Sequence, residues 1–143
     1  ILFKCLPPSN LVFKKALIQF NANFLLNELS RYASVLNFQK ETPKGRHSWF
    51  GFPMVINQTA PFSVDEFREH LERNGVETRP IIAGNMALQP AIKMYPHRIH
   101  GDLKNCTHVM NNGLAVASHQ SLDSHSLEYI VSTIDSFMKV KGI

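Results

Sequence analysis

The sequence predicts an α+β fold, a small antiparallel or mixed sheet with helices packed against it. Three observations carry this. From about Asp123 to Val140, the residues Leu127, Ile130, Val131, Ile134, Phe137 and Met138 recur as one helical stripe. Ser63 and Glu66 stand at capping-box spacing around a run whose Val64, Phe67 and Leu71 share a face, with Gly75 as its stop. Between the helical stretches lie short β-branched or aromatic runs, giving the order helix, strand, helix, strand, helix, strand, helix. Few short strands alternating with helices are satisfied most economically by a two-layer sandwich.

In chain order, residues 1–14 read as a truncated or linker segment, apolar and broken by Pro7 and Pro8, and residues 15–143 as one domain. A helix is expected from about Lys15 to Leu36, because Leu17, Phe20, Phe24, Leu25, Leu29, Tyr32 and Leu36 recur at steps mostly of three and four without Gly or Pro. Gln39 to His47 holds Thr42-Pro43-Lys44-Gly45 and reads as a loop. Ser48 to Asn57 is aromatic and β-branched and reads as a strand. Pro53 cannot donate to a ladder, which predicts an edge or bulged strand. After the capped helix comes a strand, Val76 to Arg79, and a loop stiffened by Pro80 and loosened by Gly84-Asn85. Met86 to Met94 is expected to hold a short helical turn. Gly101-Asp102 is expected to open a helix with Leu103, Cys106, Val109 and Met110 on one face. Leu114 to Val116 is a short buried strand, Ser118 to Leu122 a loop, and the last helix follows.

The totals exclude several classes. A chain of 143 residues with 44% hydrophobic and 18% charged residues makes one folded domain and argues against disorder. The net charge of +4 is spread thinly, with no basic run beyond Lys14-Lys15, so no nucleic-acid stripe is read. No stretch has the length of a membrane span or the layout of a signal peptide. Cys5 and Cys106 are far apart and form no CxxC, which suits free thiols in a reducing, cytoplasmic setting. The start at Ile1 rather than Met suggests a fragment or a processed terminus.

Candidate chemistry gathers at Gly75-Val-Glu-Thr-Arg-Pro-Ile-Ile-Ala-Gly-Asn85. Arg79 is the only side chain between Glu77 and Lys93 able to fork onto an anion, and Asn85 offers both a donor and an acceptor. Arg79 is open to two roles, a ligand contact or an ion pair with Glu77 or Asp102. His119 lies just before the last helix, where polar ligands bind, although a loop histidine is the plainer reading. The seven histidines are scattered without convergent ligand spacing, so no metal is expected. No GxSxG elbow and no Gly-rich phosphate loop occurs. Trp49, Phe50 and Phe52 form an aromatic cluster that suits a stacking platform, though such residues in a small sheet are more often core.

Several of these segments together resemble the C-terminal part of the DegT/DnrJ/EryC1/StrS family of sugar aminotransferases and dehydratases, which depend on pyridoxal phosphate (PLP). The segments are Ser48-Trp-Phe-Gly-Phe-Pro53, the run from Gly75 to Asn85 with Gln89-Pro90-Ala91, Gly101-Asp-Leu103, Val109-Met110 and the tail from Gly113. The resemblance covers about residues 15–140 and is strongest to the branch acting on nucleotide-linked 4-keto-6-deoxyhexoses, including the 3-dehydratases.

The resemblance implies a small C-terminal domain that shapes a sugar pocket. It implies PLP in the parent enzyme, with none bound by this segment alone, because the Schiff-base lysine, or the histidine replacing it, belongs to a large domain. It also implies that the segment is not catalytic alone and has no catalytic or cofactor-binding residue of its own. The partners implied are that PLP-binding large domain, the nucleotide-linked sugar and a second copy in a homodimer. Arg79, Gly84, Asn85 and, more weakly, His119 are the implied substrate-binding residues. The competing readings are a non-catalytic binding or assembly unit derived from the same fold, and a sugar-binding protein with no enzyme partner.

Overall fold

The sheet has four strands in the order β1-β2-β4-β3, every neighbouring pair antiparallel, in a computed structural model that describes residues 11–143. The strands are β1 (Leu36–Phe38), β2 (Phe52–Ile56), β3 (Thr78–Pro80) and β4 (Gly113–Val116). The helices are α1 (Leu11–Leu29), α2 (Val64–Arg73), α3 (Lys104–Asn112) and α4 (Ser124–Val140). The expected α+β architecture is present, and the sheet is antiparallel rather than mixed. The segment read as a linker lies largely outside the described residues, while residues 11–14 belong to α1.

The strand pleat sorts the sheet into two faces. Leu36 pairs with Ile56, Phe52 with Val116 and Val116 with Thr78, and all of these side chains are buried. They share one core with Leu25 and Leu29 of α1, Phe67 and Leu71 of α2, and the stripe of α4. The alternate row, Pro53–Ala115–Arg79, runs across the opposite face.

α2 and α4 form where local chemistry dictates. Ser63 Oγ accepts the Glu66 N–H at 3.2 Å and the Glu66 carboxylate accepts the Ser63 N–H at 2.8 Å, closing the capping box. Asp123 caps α4 by accepting the Ser126 N–H at 2.8 Å. All six residues of the α4 stripe are buried, and Phe137 meets Phe62 and Phe67 with ring centroids 5.0 and 5.1 Å apart. Arg31, just past the end of α1, ties that end to α4 by donating to both oxygens of Asp135, at 2.6 and 2.7 Å, and the Tyr32 hydroxyl donates to the same carboxylate at 2.8 Å.

Other expectations are corrected. The first helix ends at Leu29, followed by a single 3-10 turn, Ser30–Tyr32. Leu36 belongs to β1, which the sequence reading had not placed as a strand. Its apolar spacing continues the helical pattern, but pairing with Ile56 draws it into the sheet. Phe20 is exposed, because the buried stripe of α1 runs through Asn21, Ala22, Leu25 and Leu29. The strand expected from Ser48 begins only at Phe52, since Trp49 sits at φ 47 and turns the chain.

Pro53 lies in a central strand, not an edge strand. β1 stops at Phe38 opposite Met54, so Pro53 has a ladder neighbour on the β4 side alone. Pro80 does lie in an edge strand, β3, which is shifted two residues from its expected start. The Met86–Met94 turn is two 3-10 turns, Met86–Leu88 and Ile92–Met94. Leu103, at φ 52, precedes α3 rather than lying on its face, and Cys106 is exposed. No helix among the described residues is long and apolar enough to cross a membrane.

Candidate functional site

The face of the sheet turned away from the core carries a groove of about 390 Å³. Its floor is built on Pro53 and Ala115, and its rim includes Arg79 from the edge strand with Phe50, Ile82 and His119. Its size falls in the range of small-ligand sites. A larger concavity of about 610 Å³ beside the start of α1 is lined by none of Arg79, Gly84, Asn85 and His119.

Arg79 reaches the groove from β3, the edge strand. Its guanidinium pairs with Glu77, also on the rim, and a second nitrogen lies 3.4 Å from the Thr78 carbonyl. Both members of the pair are largely exposed. Such a pair contributes only about 0–1 kcal/mol, so an anionic ligand competes for the arginine at little expense. Asp102, the other candidate partner, pairs instead with Lys104 at 2.8 Å, and that contact together with the Lys104 backbone N–H lowers its pKa.

His119 lines the same groove from the loop between β4 and α4. Its Nδ1 accepts the Ser121 N–H at 3.2 Å, which leaves Nε2 without a partner among the described residues. The backbone beneath it is held from α1, where the buried Asn21 donates to the His119 carbonyl at 2.8 Å and lies 3.4 Å from that of Ser118. The sequence reading missed Asn21. A signal was present, because Asn21 occupies the fourth-residue register of Leu17, Leu25 and Leu29, where an amide is buried only with partners.

Asn85 and Gly84 do not line the groove. Asn85 is buried. Its amide nitrogen donates to Thr107 Oγ1 at 3.0 Å, and its oxygen accepts the Ala87 N–H at 3.1 Å, capping the Met86–Leu88 turn. It anchors the loop to α3. Gly84 sits at φ 51, and a Cβ there would stand 2.5 Å from Met110 Cγ, so the loop reaches α3 only with glycine. The structure therefore joins Arg79 and His119 in one groove and places Gly84 and Asn85 behind it. Among the described residues, no group of three or more His, Cys, Asp or Glu side chains is placed to share a metal ion.

Comparison with known proteins gives a consistent picture. Residues 15–135 match the DegT/DnrJ/EryC1/StrS aminotransferase family. Lipopolysaccharide biosynthesis protein RfbH of Salmonella typhimurium is 29% identical over 117 residues, which are 82% of this chain and 27% of that protein. GDP-4-keto-6-deoxy-D-mannose 3-dehydratase of Escherichia coli O55:H7 is 30% identical over 111 residues, 77% of this chain and 28% of that protein. The structure of E. coli GDP-4-keto-6-deoxy-D-mannose-3-dehydratase with bound hydrated PLP aligns with a TM-score of 0.75 and 28% identity, covering 83% of this chain and 30% of that one. The chain thus spans under a third of the length of these relatives.

Proposed function

Because the chain belongs to the DegT/DnrJ/EryC1/StrS aminotransferase family, we propose that it forms the C-terminal domain of a PLP-dependent nucleotide-sugar aminotransferase or 3-dehydratase. In this reading residues 15–143 are the domain, working in the cytoplasm as part of a homodimer. It shapes the pocket for a nucleotide-linked 4-keto-6-deoxyhexose and is not catalytic alone. The observation that carries the reading is the groove on the open sheet face, which brings Arg79 and His119 together within the family-matched residues.

PLP supplies an electron sink when bound, and it requires a Schiff-base partner and a carboxylate for its pyridine nitrogen. The described residues lining the groove include no lysine, and their one carboxylate, Glu77, is paired with Arg79. These residues do not fit the cofactor by themselves, so no step through it is assigned to them. The cofactor and its large domain are proposed to come from outside this segment.

The segment's own work is binding and orientation. Arg79 exchanges Glu77 for an anionic oxygen of the ligand. His119 Nε2 serves a hydroxyl. Asn85 and Gly84 contribute by holding the loop after β3 against α3. The test is Arg79→Ala in the complete enzyme. A raised KM with kcat little changed is expected; an unchanged KM and kcat removes Arg79 from the site.

A further inference from the structure

The aromatic cluster read from the sequence is split by the structure. Trp49 and Phe52 are buried with ring centroids 6.0 Å apart, while Phe50 between them is 88% exposed on the groove rim. Leaving a phenylalanine in water forgoes about 1.5–3 kcal/mol of burial. The residue before it is strained as well. Trp49 at φ 47 lies in the left-handed region, which costs a bulky side chain roughly 1–2 kcal/mol.

This conformation is held by several contacts. The Trp49 N–H donates to His47 Nδ1 at 3.0 Å, and the His47 ring packs edge-on at 4.6 Å. The fully buried Ser118 donates through Oγ to the Trp49 carbonyl at 2.9 Å. Ser118 precedes His119, so one clamp sets both Phe50 and His119 at the groove. Strain that persists because its surroundings enforce it, directly beside an exposed aromatic at a ligand-sized groove, is a recurring mark of binding sites.

The groove floor selects the ligand's shape. Gly51, Pro53, Ala115 and Ala117 are all small, and they lie between Phe50 and the exposed Ile82. A volume of about 390 Å³ suits a ring-sized ligand. It does not suit a helix, which is about 10–12 Å across. Arg79 and His119 put polar groups at the groove margins. An apolar face and polar edges are the features of a hexose, whose C–H face carries the positive partial charge that an aromatic π face attracts.

We propose that Phe50 is a binding residue that stacks on the apolar face of the hexose of a nucleotide-linked sugar, with Ser118 and Trp49 as its positioning residues. This rests on the reading that the groove receives the sugar. The test is NMR titration of the 143-residue chain with GDP-mannose, with GDP alone as the control.

The expected result is a shift of the Phe50 ring and of the Ala115 and Ala117 methyls by GDP-mannose but not by GDP. Phe50→Ala should weaken binding about three- to tenfold, and Phe50→Tyr should restore it. Ser118→Ala, with its fold verified by circular dichroism, should reduce the Phe50 shift, and Ser118→Thr should recover it. Shifts at Arg79 and His119 that Phe50→Ala leaves unchanged overturn the role of Phe50 and keep the site. An absence of shifts anywhere in the groove overturns both. Concentration-dependent broadening at Phe50 without ligand assigns the ring to a protein interface and overturns the proposal.

Discussion

At the scale of single residues, Gly84 and Asn85 hold the loop after β3 against α3, whereas Arg79, in the strand itself, holds only an exposed ion pair. Gly84→Ala should destabilise the fold by about 1–3 kcal/mol, because it combines a left-handed backbone with collision against Met110. Asn85→Ala should remove a similar amount, about 1–3 kcal/mol, by leaving buried partners unpaired. Arg79→Ala should change stability by less than about 0.5 kcal/mol, since its ion pair is exposed. Urea unfolding of the three variants checks this ordering, and an Arg79 effect as large as that of Asn85 would show the arginine to be structural. Arg79 and His119 were legible in the sequence as candidates because charge and chain position mark them. The burial of Asn85 was not, because Thr107 lies on another element and no local pattern announces that bond.

At the scale of elements, legibility follows the locality of the signal. α2 and α4 were readable because their caps and stripes lie within a few residues of each other. β1 was not, because its partner is the distant Ile56 and its apolar spacing imitates a helix. Pro53 misled for a related reason: the rule excluding proline from central strands assumes neighbours on both sides, and here β1 ends one position short. The capping box makes two predictions. Ser63→Ala should cost about 1 kcal/mol by thermal unfolding. Glu66, held down to a pKa of about 2 by Lys141 and by the Ser63 backbone and hydroxyl, gives a pH dependence. A carboxylate with a depressed folded pKa stabilises above its ordinary value of 4.5, and that contribution is lost as pH falls toward 2. Glu66→Gln should therefore flatten the acid limb of the unfolding curve, and an unchanged limb would rule out the Glu66 carboxylate, with its Lys141 and Ser63 partners, as its source.

At the scale of the molecule, two contacts tie the helical layer together. Phe137 joins Phe62, Phe67 and the core stripe, so Phe137→Ala should cost about 3–5 kcal/mol by denaturant midpoint. The Asp135 carboxyl is pushed up by burial, but hydrogen bonds from Arg31 and Tyr32 outweigh this and hold it below its ordinary value. Its clamp between α4 and the turn after α1 is therefore also lost on acidification, and Asp135→Asn should remove that part of the pH dependence. The two-layer plan was legible from element order, whereas strand order was not, because nothing in a four-residue strand names its neighbours. That order has a temporal consequence. Among the described residues β3 pairs only with β4, which follows it after the whole stretch 81–112, and Ala115 of β4 is the middle of the groove floor. On a ribosome releasing the chain from its first residue onward, β3 must wait without a ladder until residues 113–116 emerge. The grooved face is thus among the last parts of the domain to exist, and a chain cut short before β4 has no groove, however well its earlier helices form.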